Sequence, residues 1–554
     1  MTAHIVHGTG VVAGFAYGPA AWTKARPDLP HQDHVVPEEE REAETTRFTT
    51  AAGTVADRLA ARSATATGVA AEVLGATATL ARDRGWHRAV AKLVKGGTPA
   101  DVAAVQATEQ FVAMFEKVGG LMAERVTDLR DIRDRVVAEL RGEPEPGIPS
   151  SDTPIVLLAD DLAPADTAGL DPSTILALVT RLGGPTSHTA IIARQLGIPC
   201  IVAVPDLRQI EEGTPVLVDG ALGTLQVGAD PDAARTLVEE DSARRVAIRS
   251  WTGPARTRDG VDVDLLANVQ DGHGAHLAAK AQAAGVGLLR TELSFLSAQV
   301  EPSVAAQAAL YGEVFGAFPG RKVVVRTIDA GSDKPVPFAH LEHEENPALG
   351  VRGIRLRLAH PGLVERQLDA IAQAASEHGV EQPWVMAPMV ATLDEAREFA
   401  AECRSRGIKP GIMVEVPSVA VLADQFLEEV DFFSIGTNDL TQYAMAADRM
   451  SAPLAWLTDP WQPAVLRLIQ LTAAAGSRHG KPVGVCGEAA ADPLLACVLL
   501  GMGVTSLSMA YGAIAAVGVQ LATVTMDQCV AAAEEVLACR SAAEAKAKAA
   551  ELLG

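Results

Sequence analysis

The sequence predicts a multidomain α/β chain: a compact α/β unit interrupted by an α-helical insert, then a C-terminal (β/α)8 barrel. Three observations predict it. From about Thr257 onward, β-like and helical segments alternate eight times, the count of a (β/α)8 barrel. From Pro37 to Arg141, strand-like patterning disappears and apolar residues recur at helical spacing. From Pro154 to Val227, short strands and helices alternate within about 80 residues, the size of a small layered unit. At 554 residues the chain is too long for one hydrophobic core. A doubly wound sheet shares the eightfold alternation and is the competing architecture for the C-terminal part.

Taken in order, Ile5 to Trp22 is apolar, Gly-containing and β-like. It is too short to form a domain and is expected to join strands from elsewhere in the chain. Helical stretches follow at Glu38–Arg62, Thr67–Arg84, Trp86–Lys95, Thr98–Gly119 and Leu121–Arg141. Gly96-Gly97 and Gly119-Gly120 punctuate them. They read as a small bundle inserted into another domain; a lid or spacer has the same pattern. Gly142–Pro149 is a linker rich in Pro, Gly and Glu. Strands are expected at Pro154–Ala159, Thr174–Val179, Cys200–Val204, Pro215–Asp219 and Leu225–Val227. Pro231 to Arg249 is a charged helix without a strong apolar stripe, an interdomain connector. The expected domains are 1–22 with 144–229, then 23–143, a linker at 230–254, and 255–554.

Inside the α/β unit lies the run Gly183-Gly184-Pro185-Thr186-Ser187-His188-Thr189-Ala190-Ile191-Ile192-Ala193-Arg194. The glycines suit a tight turn, and Thr186 or Ser187 suits a helix cap. His188 then falls in the first helical turn, where partial positive charge and free N–H groups disfavour imidazolium and favour an anion. A lone histidine there more often caps or packs, so its meaning depends on the rest of the chain.

Composition narrows the function. The net charge of −22, from 47 basic and 69 acidic residues, argues against nonspecific nucleic-acid binding. The six cysteines (Cys200, Cys403, Cys486, Cys497, Cys529 and Cys539) form no CxxC pair and fit a reducing cytoplasm. Met1 to Gly14 lacks a basic region followed by an apolar run, so no signal peptide is expected. No uncharged apolar run reaches spanning length, so no membrane insertion is expected.

The barrel strands are expected at Val263–Val269, Val286–Thr291, Lys322–Ile328, Val385–Met389, Gly411–Val416, Phe432–Ile435, Val483–Cys486 and Ser506–Met509. Barrel chemistry sits at the C-terminal strand ends. Those ends and the loops beyond them carry Arg290, Arg326, Arg352, Glu415, Asn438, Asp439, Arg449 and Cys486. The arginines offer forked donors for phosphate and carboxylate oxygens. Glu415 and Asp439 are two carboxylates with no third acidic or His partner at cage spacing, which suits Mg²⁺ completed by water and substrate phosphate. The set points to a small, highly anionic phosphorylated substrate. Cys486 reads as a buried structural thiol or, at a catalytic face, as a proton donor or acceptor.

Several motifs occur together: Gly184–Thr189, Leu289-Arg290-Thr291-Glu292, Arg326-Thr327-Ile328-Asp329, Glu345-Asn346-Pro347, Met413-Val414-Glu415, Gly436–Tyr443 and Cys486-Gly487-Glu488. The combination, in this order over nearly the whole chain, resembles enzyme I of the bacterial phosphoenolpyruvate:sugar phosphotransferase system. The resemblance implies that the His188 domain swivels and that His188 is phosphorylated through Nε2, near the hydroxyl of Thr167. It implies that Arg290, Arg326, Asn438, Asp439 and Arg449, with Arg352, contact phosphoenolpyruvate. It further implies Glu415 and Asp439 as Mg²⁺ ligands and Cys486 as the acid that protonates the enolate to pyruvate. The helical insert then docks the phosphocarrier HPr, and the chain is a cytoplasmic homodimer through its barrel. The family often carries Arg where this chain has Pro185, and Ala70–Gly75 matches the family's insert only loosely. Phosphoenolpyruvate synthases and pyruvate-phosphate dikinases share the histidine and barrel but need a large ATP-binding region. Here 187 residues precede His188, without a P-loop. A silent phosphoenolpyruvate-sensing protein is the alternative from another class, and an interaction scaffold leaves the barrel-mouth charges unexplained.

Overall fold

The apolar N-terminal segment cannot bury both its faces alone and finds partners far along the chain. The computed structural model describes residues 4–24, 27–65, 69–118, 126–149, 151, 153–162, 166, 170–185, 187–292, 295, 298–331, 336, 338 and 344–554. It comprises two units, Met1–Ala243 and Arg244–Gly554. The first holds an eight-stranded sheet of β1 (His4–His7), β2 (Thr9–Val12), β3 (Phe15–Trp22), β4 (Ile155–Ala159), β5 (Ile175–Thr180), β6 (Cys200–Val202), β7 (Pro215–Asp219) and β8 (Thr224–Val227). Their spatial order is β1-β8-β7-β3-β4-β5-β6-β2. β3 lies parallel to β4 and antiparallel to β7, and β2 lies antiparallel to β6. Residues 5–22 thus join later strands, as the sequence implies. β4 is buried on both faces: Val156 and Leu158 pack with Val216 and Val218, while Ile155 and Leu157 pack with Ala193 and Ile198.

Between β3 and β4 run five helices, Arg41–Thr65, Val69–Ala81, Arg84–Lys95, Ala100–Val118 and Val126–Arg141. Phe48, Leu59, Leu74, Trp86, Val90 and Val136 form their shared core. The buried Trp86 indole N–H donates to Thr108 Oγ1 at 3.1 Å. The break between the second and third helices comes earlier than expected, because the Asp83 side chain caps the third by accepting from the Trp86 N–H. Thr67, Gly68, Gly119 and residues 121–125, expected to be helical, lie outside the described residues.

The second unit contains β9 (Ala255–Arg256), β10 (Asp262–Val269), β11 (Val286–Leu289), β12 (Val323–Arg326), β13 (Trp384–Ala387), β14 (Lys409–Val414), β15 (Phe432–Ile435), β16 (Val483–Val485) and β17 (Ser506–Met509). β10 to β17 pair in parallel in chain order. β10 pairs with both β11 and β17, which closes the barrel. Closure excludes the doubly wound alternative, an open sheet. Alternation assigns the faces: Val323 and Val325 belong to the layer under the helices, whereas Val324 joins Leu288, Met386, Met413, Phe432 and Cys486 inside the barrel. Trp384 forms part of the floor, its ring centroid 4.8 Å from that of Phe432. The ammonium groups of Lys322 and Lys409 lie 4.3 and 3.9 Å from the Trp384 centroid. The division between the units falls within the largely exposed helix Pro231–Ser250. No single described helix is long and apolar enough to cross a membrane.

Candidate active site

In the first unit, Ser187 ends an extended approach (φ −63°, ψ 159°) and caps the helix His188–Leu196. Its side chain accepts from the Ala190 N–H at 3.3 Å, satisfying one of the free donors of the first turn. Thr186, the other expected cap, lies outside the described residues, as does Thr167. Gly183 has φ +88°, a left-handed turn that a side chain resists. His188 is the first helical residue, at the positive end. Arg194, from the last turn of the same helix, donates to the Pro185 carbonyl at 2.8 Å. A guanidinium therefore lies against the loop in which Pro185 stands where the family often has Arg.

In the second unit, the polar strand-end residues gather at the C-terminal rim of the barrel. Arg290 directly follows β11, Arg326 ends β12, Glu415 directly follows β14, and Cys486 directly follows β16. Asn438 and Asp439 lie in the first turn of the helix Thr437–Ala444, and Arg449 follows that helix. Arg352 comes from the loop beyond β12.

Ion pairs bind this rim together. Arg326 meets Glu292 at 3.0 Å and Asp329 at 3.2 Å. Arg352 grips Asp329 through Nη2 at 2.9 and 3.1 Å and reaches Asp439 at 3.3 Å. Its Nη1 also donates to the Tyr443 hydroxyl at 3.3 Å, and that hydroxyl donates to the Ala348 carbonyl. Arg449 lies 3.7 Å from Asp439. Asn438 Oδ1 accepts from the Glu488 N–H at 3.0 Å. Arg290 has no ion-pair partner among the described residues, and its charge acts on Cys486. Asp329 is the third carboxylate, and its charge acts on Glu415. The sequence predicts no third acidic or His partner at cage spacing, and Asp329 adds a charge nearby without completing such a cage among the described residues. The chain beyond β12 turns Asp329 back onto Arg326, and nothing in local spacing announces the turn. Glu292, Asp329 and Tyr443 occur in the motifs, but the sequence reading gave them no role. The i,i+3 spacing of Arg326 and Asp329 was the available signal for one of them.

Glu415 is wholly buried. Its Oε1 accepts from the Met389 N–H at 2.6 Å. Met389 has φ +62°, an uncommon conformation for a residue with a side chain, and strain of this kind collects at functional sites. Glu415 Oε2, Arg326 Nε and Thr437 Oγ1 are buried without a hydrogen-bond partner among the described residues. Buried polar atoms are ordinarily paired, so these unfilled valences mark where a ligand belongs. Burial, with repulsion from Asp329 and Asp439, pushes the Glu415 carboxyl up to about 8, against the pull of Arg326. Burial likewise pushes the Cys486 thiol up to about 11, opposed by a hydrogen bond with Ser434 and the charge of Arg326. A thiol so placed keeps its proton at neutral pH. Arg326 and Arg352 are held firmly protonated: burial opposes their charge, but the surrounding carboxylates outweigh it.

The donor set fits a divalent cation bound by two carboxylates. Glu415 Oε2 is free, a cation would relieve the repulsion that raises its pKa, and Asp439 is its charged neighbour. Among the described residues there is no group of three or more His, Cys, Asp or Glu arranged to cage a metal. Any such ion would take its remaining ligands from water or substrate. The arrangement can bind a compact polyanion, stabilise charge that moves onto its oxygens, and deliver one proton from the barrel interior.

Comparison with known proteins finds three family models along the chain. Residues 245–526 match the PEP-binding domain of PEP-utilising enzymes, 152–223 their mobile domain, and 7–125 their N-terminal domain. The phosphoenolpyruvate-protein phosphotransferase of Streptomyces coelicolor is 47% identical over 94% of this chain and 94% of its own length. That of Haloferax volcanii is 41% identical over 84% of this chain and 83% of its own. That of Bacillus subtilis is 36% identical over 80% and 81%. With full-length likeness at this identity, and all three domain models matched in order, the chain belongs to the family of PEP-utilising enzymes.

Proposed function

We propose that this chain is a phosphoenolpyruvate-protein phosphotransferase that moves the phosphoryl group of phosphoenolpyruvate to His188 and then to a histidine of HPr. The observation that carries the reading is the barrel mouth, where four arginines and four carboxylates surround unfilled buried valences above a protonated thiol. Arg290, Arg326, Arg352, Asn438 and Arg449 bind the phosphate and carboxylate of the substrate. Glu415 and Asp439 would hold Mg²⁺, which when bound supplies further charge stabilisation on the phosphate oxygens.

Neutral His188 attacks phosphorus, and the bond from phosphorus to the enol oxygen breaks. The electron pair leaves with enolpyruvate, and the arginines stabilise the oxygens of the group in transfer. Cys486 gives its proton to the methylene carbon, which yields pyruvate and a thiolate that solvent reprotonates. The helical segment 23–143 is the HPr-docking domain, residues 1–22 and 144–229 form the phosphohistidine domain, 230–254 is the linker, and 255–554 forms the substrate barrel. The working form is a cytoplasmic homodimer joined through the barrel. The family relationship and the charge chemistry support this reading.

Incubation with phosphorus-labelled phosphoenolpyruvate and Mg²⁺, with and without HPr, tests it. Acid-labile label should appear on the chain and pass to HPr, and His188→Ala should carry none. Label that persists on His188→Ala would overturn the assignment, and a chain that binds phosphoenolpyruvate without taking label would be a sensor.

A further inference from the structure

Cys486 lies one residue beyond the last paired position of β16, Val485 opposite Leu507, so on the β17 side the ladder does not hold it. Its N–H donates to the Ile435 carbonyl at 3.0 Å, and its Sγ lies 3.5 Å from the same oxygen. Its own carbonyl is taken by a side chain from two strands away. Asn268 Nδ2, on β10, donates to the Cys486 carbonyl at 3.0 Å. Ser508, on the intervening strand β17, donates its hydroxyl to Asn268 Oδ1 at 2.6 Å.

Both polar residues stand where alternation calls for inward side chains. On β10, Leu265, Ala267 and Val269 belong to the outer layer, and on β17 Leu507 and Met509 do. Asn268 and Ser508 therefore point inward, Ser508 buried and Asn268 half-buried, where an unpaired polar group is costly. The amide orientation follows from chemistry, because a carbonyl only accepts and must face Nδ2. The amide thus has its donor on Cys486 and its acceptor on Ser508, a relay with a fixed direction.

We propose that Ser508 and Asn268 are positioning residues that brace the Cys486 peptide and so aim its thiol at the methylene carbon of enolpyruvate. The proposal rests on the assignment of Cys486 as the acid. Asn268→Asp keeps the size and the acceptor for Ser508 but sets a carboxylate oxygen against the Cys486 carbonyl. The brace then becomes repulsive and the thiol loses its aim, an error that costs up to roughly 10²-fold in rate for a displacement near 1 Å.

The test measures pyruvate formation by the full chain with Mg²⁺ and HPr. It also reads the stereochemistry of the methyl group formed from stereospecifically labelled phosphoenolpyruvate in deuterated water. Asn268→Asp should lower kcat on the order of ten- to a hundredfold with KM nearly unchanged, and should scramble the methyl group as solvent replaces the thiol. Ser508→Ala, which introduces no charge, should do the same more weakly and serves if Asn268→Asp does not fold. Unchanged kcat and retained stereochemistry in both variants, with Cys486→Ala severely impaired, would overturn the brace while leaving the acid in place. Unimpaired turnover and stereochemistry in Cys486→Ala would remove the acid itself, and the brace with it. A raised KM with intact stereochemistry would show that Asn268 merely shapes the substrate site.

Discussion

Two parts of the molecule bury arginine among carboxylates, and they do it differently. In the first unit, Arg135 is 1% exposed. Its Nε donates to Asp131 at 2.8 Å, its Nη1 to Glu145 at 2.5 Å, and its Nη2 to Asp166 at 2.5 Å. All three of its nitrogens are engaged, by the helix Val126–Arg141, the segment after it and the segment after β4. At the barrel mouth, Arg326 is almost as buried, yet among the described residues its Nε has no partner, and neither does Glu415 Oε2. A backbone at positive φ is held beside them. The closed cluster ties chain segments together. The open one keeps its valences unfilled at the expense of stability, as a site must when its partner is a transient ligand.

The contrast can be broken at several points. The largest effect should come from Arg135→Met, which leaves three carboxylates around an apolar side chain. The first unit should lose about 3–5 kcal/mol in urea unfolding, while phosphoenolpyruvate binding by the barrel is unaffected. An unchanged unfolding midpoint would show that the closed cluster ties nothing. Glu415→Gln should act in the opposite sense. Phosphotransfer should fall on the order of 10²–10³-fold, the scale of one lost electrostatic contact in a preorganised site. Stability at pH 8 should hold or rise, as thermal melts at matched pH would register.

The third effect is the pH dependence itself. The Glu415 carboxyl is raised from 4.5 to about 8 in the folded chain, so the native state binds more protons than the unfolded state between those values. Stability is then full below pH 4.5 and falls as pH rises toward 8. Mg²⁺ or Glu415→Gln should flatten that slope in chemical unfolding, and a slope indifferent to both would place its origin elsewhere. The smallest effect belongs to the histidine helix. Ser187→Ala removes the cap and should cost about 1 kcal/mol of local stability, seen as faster amide exchange at Ala190.

Much of the architecture was legible because parallel strands buried on both faces must be continuous apolar runs. Phe432–Ile435 and Ser506–Met509 match their expected bounds, and Val286–Thr291 proves shorter by two residues, since β11 ends at Leu289. The polar residues that end those runs were legible for the same reason: they interrupt an apolar pattern. Partnership was not legible. Asp329 was visible as a residue but not as the group that couples Arg326, Arg352 and Glu415. The positive φ of Met389 leaves no trace in a sequence that has no glycine there. Asn268 and Cys486 are separated by 218 positions, so no local pattern could join them.

The indole floor of the barrel has a kinetic consequence. Trp384, packed against Phe432 and two lysine ammonium groups, fills the N-terminal end of the barrel, opposite the charged rim. Phosphoenolpyruvate and pyruvate would then share the charged rim as their binding site. Pyruvate rebinding the phosphorylated chain reverses the first transfer, so its inhibition should be mixed against phosphoenolpyruvate, and reciprocal plots of initial rate at several pyruvate concentrations should cross off the rate axis.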